Sequence, residues 1–119
     1  MDSFGTSPAD SLSEEHKAVR ALTQLLKLEQ EHLIAADMDG ITALTEAKAK
    51  AAAHMTELAT SRHKALAAAG FEAKESSMKT WLESSGASAT TSKSWHELVE
   101  LAEEAKELNR VNGTLINKQ

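Results

Sequence analysis

The chain has five histidines, eighteen acidic residues and no cysteine, so any catalytic or metal chemistry must come from imidazole, carboxylate and hydroxyl groups. Glu29 and His32 carry the Glu-x-x-His spacing that puts two metal ligands on one helical face. A di-metal centre in a helical bundle needs that motif twice, with two further glutamates, and the sequence holds no second copy. His96-Glu97-Leu98-Val99-Glu100 opens like the His-Glu-x-x-His helix of a zinc protease, but Glu100 stands where the second histidine is required. His16, His54 and His63 have no serine and aspartate set out as a triad, and the five glycines form no phosphate-cradling loop. These histidines read as solvated surface groups. No catalytic, cofactor-binding or metal-ligating residue is assigned, and the expected role is binding rather than catalysis.

The elements that carry these residues follow from composition. Aromatic residues fall to 3%, with Phe4, Phe71, Trp81 and Trp95 as the whole set, so the core must be built from Leu, Ala and Met. Such residues lose little rotamer freedom in a helix, whereas strands favour β-branched and aromatic types. A chain of 119 residues supports one domain with one core. Its formal net charge of -5 offers nothing to a phosphate backbone, which argues against nucleic acid as a partner. No apolar run approaches the roughly 20 residues that span a bilayer, and Met1 to Asp10 lacks the basic start and apolar stretch of a signal peptide. We therefore expect no membrane insertion and a cytoplasmic location, which the lack of cysteine fits.

Residues 1–10 are rich in Ser, Gly, Asp and Pro and read as a flexible lead-in, with a single helical domain over 11–119. Ser11 and Glu14 have capping-box spacing and start helix 1, about 11–36. Its apolar residues Leu12, Val19, Leu22, Leu26 and Leu33 recur at helical spacing, widened by Leu25, Leu28 and Ile34, which predicts contact with two neighbours. Asp37 caps helix 2, about 38–69, whose apolar row from Ile41 to Ala69 is interrupted only by Lys48 and Arg62. Gly70 supplies a left-handed stop, with Phe71 folding back on Leu66. Met78, Trp81 and Leu82 mark a short helix at about 77–84, and the polar stretch from Ser84 to Ser94 reads as a linker. Helix 3, about 93–117, places Leu98, Leu101, Ala105, Leu108, Asn112 and Leu115 on one row, with Trp95, Ala102, Asn109 and Ile116 on the next. The predicted fold is all-α: an elongated, antiparallel, three-helix, coiled-coil-like bundle with a short extra helix before the third long one.

Lys48 and Arg62 are read as snorkelling along the seam, the alternative being a mark for a partner's carboxylate. Glu97, Glu100, Glu103, Glu104 and Glu107 are read as a solvated face, the alternative being a dock for a basic partner. In Glu107 to Ile116 two asparagines and a glycine interrupt a good stripe. Leu115 and Ile116 then resume both rows in phase, so the helix is expected to continue through Asn112-Gly113 as a locally weak stretch.

Here the chain resembles the FlgN family of flagellar type III export chaperones. The resemblance rests on Leu25-Leu26-Lys27-Leu28-Glu29-Gln30-Glu31 with Leu33 to Leu44, and on Leu66-Ala67-Ala68-Ala69-Gly70-Phe71. It rests most specifically on Trp95-x-x-Leu98 leading to Leu108-Asn109-Arg110-Val111-Asn112-Gly113-Thr114-Leu115-Ile116, and it covers residues 12–117. It implies binding to the C-terminal helical region of hook-associated (hook-filament junction) proteins, preventing premature assembly before the substrate is passed to the flagellar export machinery. Matching positions put substrate contacts at Leu108, Asn109, Asn112, Leu115 and Ile116, so Asn112→Ala or Leu115→Asp is expected to weaken binding with helicity nearly intact. The resemblance also implies further helix after the Asn-Gly segment, whereas these residues end at Gln119. Two other classes compete. One is an antiparallel coiled-coil scaffold or adaptor that self-associates tightly, where a chaperone would form at most a weak homo-oligomer. The other is a histidine phosphotransfer domain, labelled on one imidazole.

Overall fold

The computed structural model describes residues 7–117. It contains α1 (Leu12–Ile34), α2 (Met38–Ala68), α3 (Ser77–Ser84) and α4 (Ala89–Asn117), and no strand among the described residues. The molecule measures 50 × 26 × 22 Å. That rod shape follows from α2 and α4, which at 1.5 Å per residue are each more than about 40 Å long.

Several helix ends have an evident chemical cause. Asp37 Oδ1 accepts the Gly40 amide at 3.0 Å and opens α2 as the sequence predicts. Gly70, at φ +92°, closes it: the Gly70 amide donates to Ala67 O and the Phe71 amide to Leu66 O, the two bonds of a Schellman motif. The same pair closes α1, from Ala36 to Leu33 O and from Asp37 to His32 O, but the left-handed residue there is Ala36, at φ +56°. Two sequence expectations need correction. Ser11 does not cap α1; its hydroxyl donates to Glu15 Oε2 at 2.8 Å and so serves the helix interior. The supposed linker is helical from Ala89, because Ser88 Oγ accepts the Thr91 amide at 3.2 Å and caps α4 several residues before the expected start.

The last four residues of the expected lead-in, 7–10, are packed on the domain. Ser7 to Asp10 form a turn closed by the Asp10 amide on Ser7 O, with Pro8 buried and Ala9 against the core. Phe4 lies outside the described residues.

Packing centres on α1. Its row Leu12, Val19, Leu26 and Leu33 recurs every seventh residue and is wholly buried. α2 returns antiparallel along one side of α1, and α4 runs parallel to α1 along the other, so α1 has the two neighbours its stripe predicts. α3 caps one end, where Met78 and Leu82 join Leu12, Leu66, Trp95 and Leu98 in the core. By contrast, α2 and α4 share no packed interface along their length. The row of α2 is therefore closed only at its C-terminal end, through Leu58, Arg62 and Ala65, while Ile41, Leu44, Ala51 and Met55 remain half-buried.

Candidate docking groove

A second heptad row on α1 consists of Glu15, Leu22 and Glu29 and faces α2. Opposite it stand Arg62, Met55 and Lys48, also two heptads from end to end. Arg62 donates from Nε and Nη2 to the two oxygens of Glu15 at 2.9 and 3.1 Å, and Lys48 Nζ meets Glu29 Oε2 at 2.8 Å. Both cations were read as snorkelling; both are interhelical ion pairs. A clue lay in the equal spacing, since acids and bases two heptads apart on antiparallel helices meet in one register only.

The Arg62 end is a built polar cluster. Arg62 is 3% exposed, and its Nη2 also donates to Glu75 Oε1 at 2.6 Å. The guanidinium carbon sits 4.7 Å from the centroid of the Trp95 ring, a cation–π contact that ties α2 to α4. Burial works against the guanidinium charge, but hydrogen bonds to Glu15 and Glu75 outweigh it and hold the pKa above its ordinary value. Burial likewise favours the neutral form of Glu75, yet hydrogen bonds from Arg62 and His63 keep its carboxyl below the usual range. Arg62 Nη1 is buried with no hydrogen-bond partner among the described residues.

At the other end, Asn112 is 1% exposed and lies in the interior, donating from Nδ2 to Leu26 O at 2.8 Å and to Glu29 Oε1 at 2.9 Å. α4 runs unbroken through Asn112 and Gly113, as expected. This polar knot of Lys48, Glu29 and Asn112 links all three long helices.

Between these two ends α2 and α4 enclose an open groove floored by α1. Its larger section, about 570 Å³, has Leu22, Leu26 and Glu29 as floor. Ala49, Ala52 and Met55 form one wall, Ala102 and Ala105 the other, with Lys48, Lys106 and Asn109 at the mouth. A smaller section of about 190 Å³ continues past Met55 and Ala102 to Arg62 and Trp95. Small residues on both walls let another backbone approach closely, and the floor is aliphatic. A groove with an aliphatic floor and small-residue walls has the character of a surface that accepts an apolar face.

The other expected contacts fall in different places. Asn109 is exposed at the groove mouth, Leu108 and Leu115 are half-buried, and Ile116 is 46% exposed near the end of α4. Leu108 lines a shallower cleft between α1 and α4, with Lys27 and Val111. Of the walls contributed by α2, sequence reasoning placed Met55 on the apolar row but passed over Ala49 and Ala52, which lie beside that row and are exposed. Of the histidines, His16 is buried and donates from Nε2 to Ser94 O at 2.8 Å, and His63 Nε2 lies 2.9 Å from Glu75, which corrects their reading as solvated groups. His54 is exposed. Glu29 and His32 are engaged by different partners, His32 Nδ1 lying 3.1 Å from Asp37 Oδ2. The acidic residues at 97, 100, 103, 104 and 107 are exposed. No helix among the described residues is long and apolar enough to cross a membrane.

Comparison with curated proteins and with solved structures gave no match. The model of one protein family, described as FlgN protein, matches residues 1–119, which is the whole sequence given. With helices and caps in the order that the resemblance implies, the chain belongs to the FlgN family of flagellar chaperones.

Proposed function

We propose that this chain is a cytoplasmic flagellar type III export chaperone acting through the single helical domain of residues 11–119. It binds the C-terminal helical region of hook-associated, hook-filament junction proteins, prevents their premature assembly and passes them to the export machinery. The observation that carries this reading is the groove: the three long helices leave an aliphatic channel open between α2 and α4 along α1. Family membership supplies the flagellar context. An amphipathic substrate helix laid in the channel would bury the face by which it otherwise self-assembles. Of the positions proposed as contacts, Asn109 meets the substrate at the groove mouth, Leu108 contributes from the separate α1–α4 cleft, and Leu115 and Ile116 lie beyond both near the end of α4. Asn112 acts from inside, holding that stretch of α4 on α1.

The test is co-purification with C-terminal segments of hook-associated proteins, followed by light scattering. The expected result is a defined complex that Ala52→Trp weakens at least about tenfold, because the indole fills the channel from an exposed position while helicity by circular dichroism stays unchanged. Failure to bind, with the chain eluting as a tight homo-oligomer, would replace the chaperone by the scaffold reading.

A further inference from the structure

The groove has unlike ends. At one end, two carboxylates, Glu15 and Glu75, surround the single guanidinium of Arg62. Glu75 Oε1 takes the bonds from both Arg62 and His63, which leaves Oε2 with no hydrogen bond among the described residues, on a side chain 58% exposed. At the other end, two ammonium groups, Lys48 and Lys106, stand against the single carboxylate of Glu29. Lys106 makes no ion pair, and the Asn109 carboxamide no hydrogen bond, among the described residues, and both face the mouth of the channel. The channel is thus acidic at the Trp95 end and basic at the Lys106 end.

A helix carries the opposite pattern along its axis. Its first-turn amides are unpaired donors with a partial positive charge, and its last-turn carbonyls are unpaired acceptors with a partial negative one. Resting on the docking reading above, we propose that the groove is directional. It takes one amphipathic helix with its N-terminus at Glu75 and its C-terminus at Lys48 and Lys106, parallel to α1 and α4. In that orientation Glu75 Oε2 can accept a first-turn amide, while Lys106 Nζ and the Asn109 carboxamide can donate to last-turn carbonyls. The reverse orientation sets first-turn amide donors against the Lys106 ammonium at one end and last-turn carbonyl acceptors against the Glu75 carboxylate at the other. The span from Thr45 to Arg62 along α2 fixes the length: about 25 Å, or about 17 residues of bound helix.

The chain has no cysteine, so single cysteines at exposed Thr42 and Thr60, about 27 Å apart on the outer shoulder of α2, take a spin label without ambiguity. The probe is a synthetic peptide of the last 20 residues of a hook-associated protein, carrying a nitroxide at its N-terminus or at its C-terminus, bound to the full chain. Dipolar electron resonance is expected to place the N-terminal label nearer Thr60→Cys and the C-terminal label nearer Thr42→Cys. Lys106→Glu is expected to weaken the peptide by about 2- to 5-fold and Glu75→Lys by a similar factor, each less at high salt. The opposite pair of distances would overturn the direction while leaving docking in the groove intact. Binding with neither label near either site would show that the groove is not the seat. No binding by any peptide overturns the docking reading itself.

Discussion

Arg62 is the side chain on which three helices and a loop depend. Glu15 holds it from α1, Glu75 from the segment before α3, and Trp95 from α4. Removing the guanidinium leaves Glu15 buried without its partner, so Arg62→Ala is expected to cost about 3–5 kcal/mol in urea unfolding. Replacing both charges by apolar groups of similar size, Glu15→Leu with Arg62→Met, is expected to restore most of that loss, because the pair's attraction largely offsets its desolvation. Glu75 gives the cluster a pH dependence. Its carboxyl is held below the ordinary 4.5, so its contribution is present above that value and is lost as pH falls through the depressed pKa. The expected outcome is a fall in melting temperature on acidification below pH 4.5 that is shallower in Glu75→Gln. The effect is modest and salt-sensitive, since Glu75 is more than half exposed.

At the scale of elements, the two hairpin ends make a natural comparison. α2 closes on Gly70 and α1 closes on Ala36 by the same pair of bonds, yet only glycine takes a left-handed φ without steric cost. Ala36→Gly is therefore expected to stabilise the protein by about 0.5–1 kcal/mol, the relief of strain outweighing the entropy glycine loses, and to raise the melting temperature by about 2–4 °C. Ser88→Ala is expected to cost about 1 kcal/mol and to fray the first turn of α4, read as faster amide exchange over Ala89–Ser92. The contrast between these sites shows what the sequence could tell. Asp37 and Gly70 were legible because each sits beside a long periodic run, whereas Ser88 sits in a polar stretch where composition outweighs a single cap. Ser11 misled for the opposite reason: its spacing to Glu14 fits a capping box, but a buried carboxylate one residue further on competes for the same hydroxyl.

For the whole molecule, helix count, order and elongated shape were readable from apolar rows, because a stripe's width reports how many neighbours a helix has. That α2 and α4 would meet only at the Arg62–Trp95 end was not readable, since alanines facing a groove are the same residue type as alanines in a packed core. Of the proposed groove, the sequence pointed to Asn109 and to Asn112 on the apolar row of α4, but not to the alanine wall of α2. The scarcity of α2–α4 contact away from the Arg62–Trp95 pair also has a dynamic side. Because α1 alone carries both partners, breathing of the first half of α2 exposes little that α4 must compensate, and the empty channel costs the fold no broken interface. Amide protons of α1 should consequently outlast those of residues 41–55 by orders of magnitude, and loading the channel should slow the latter while leaving α1 unchanged. The chaperone would thus gain and lose its cargo without refolding, and its lifetime and its occupancy would respond to different mutations.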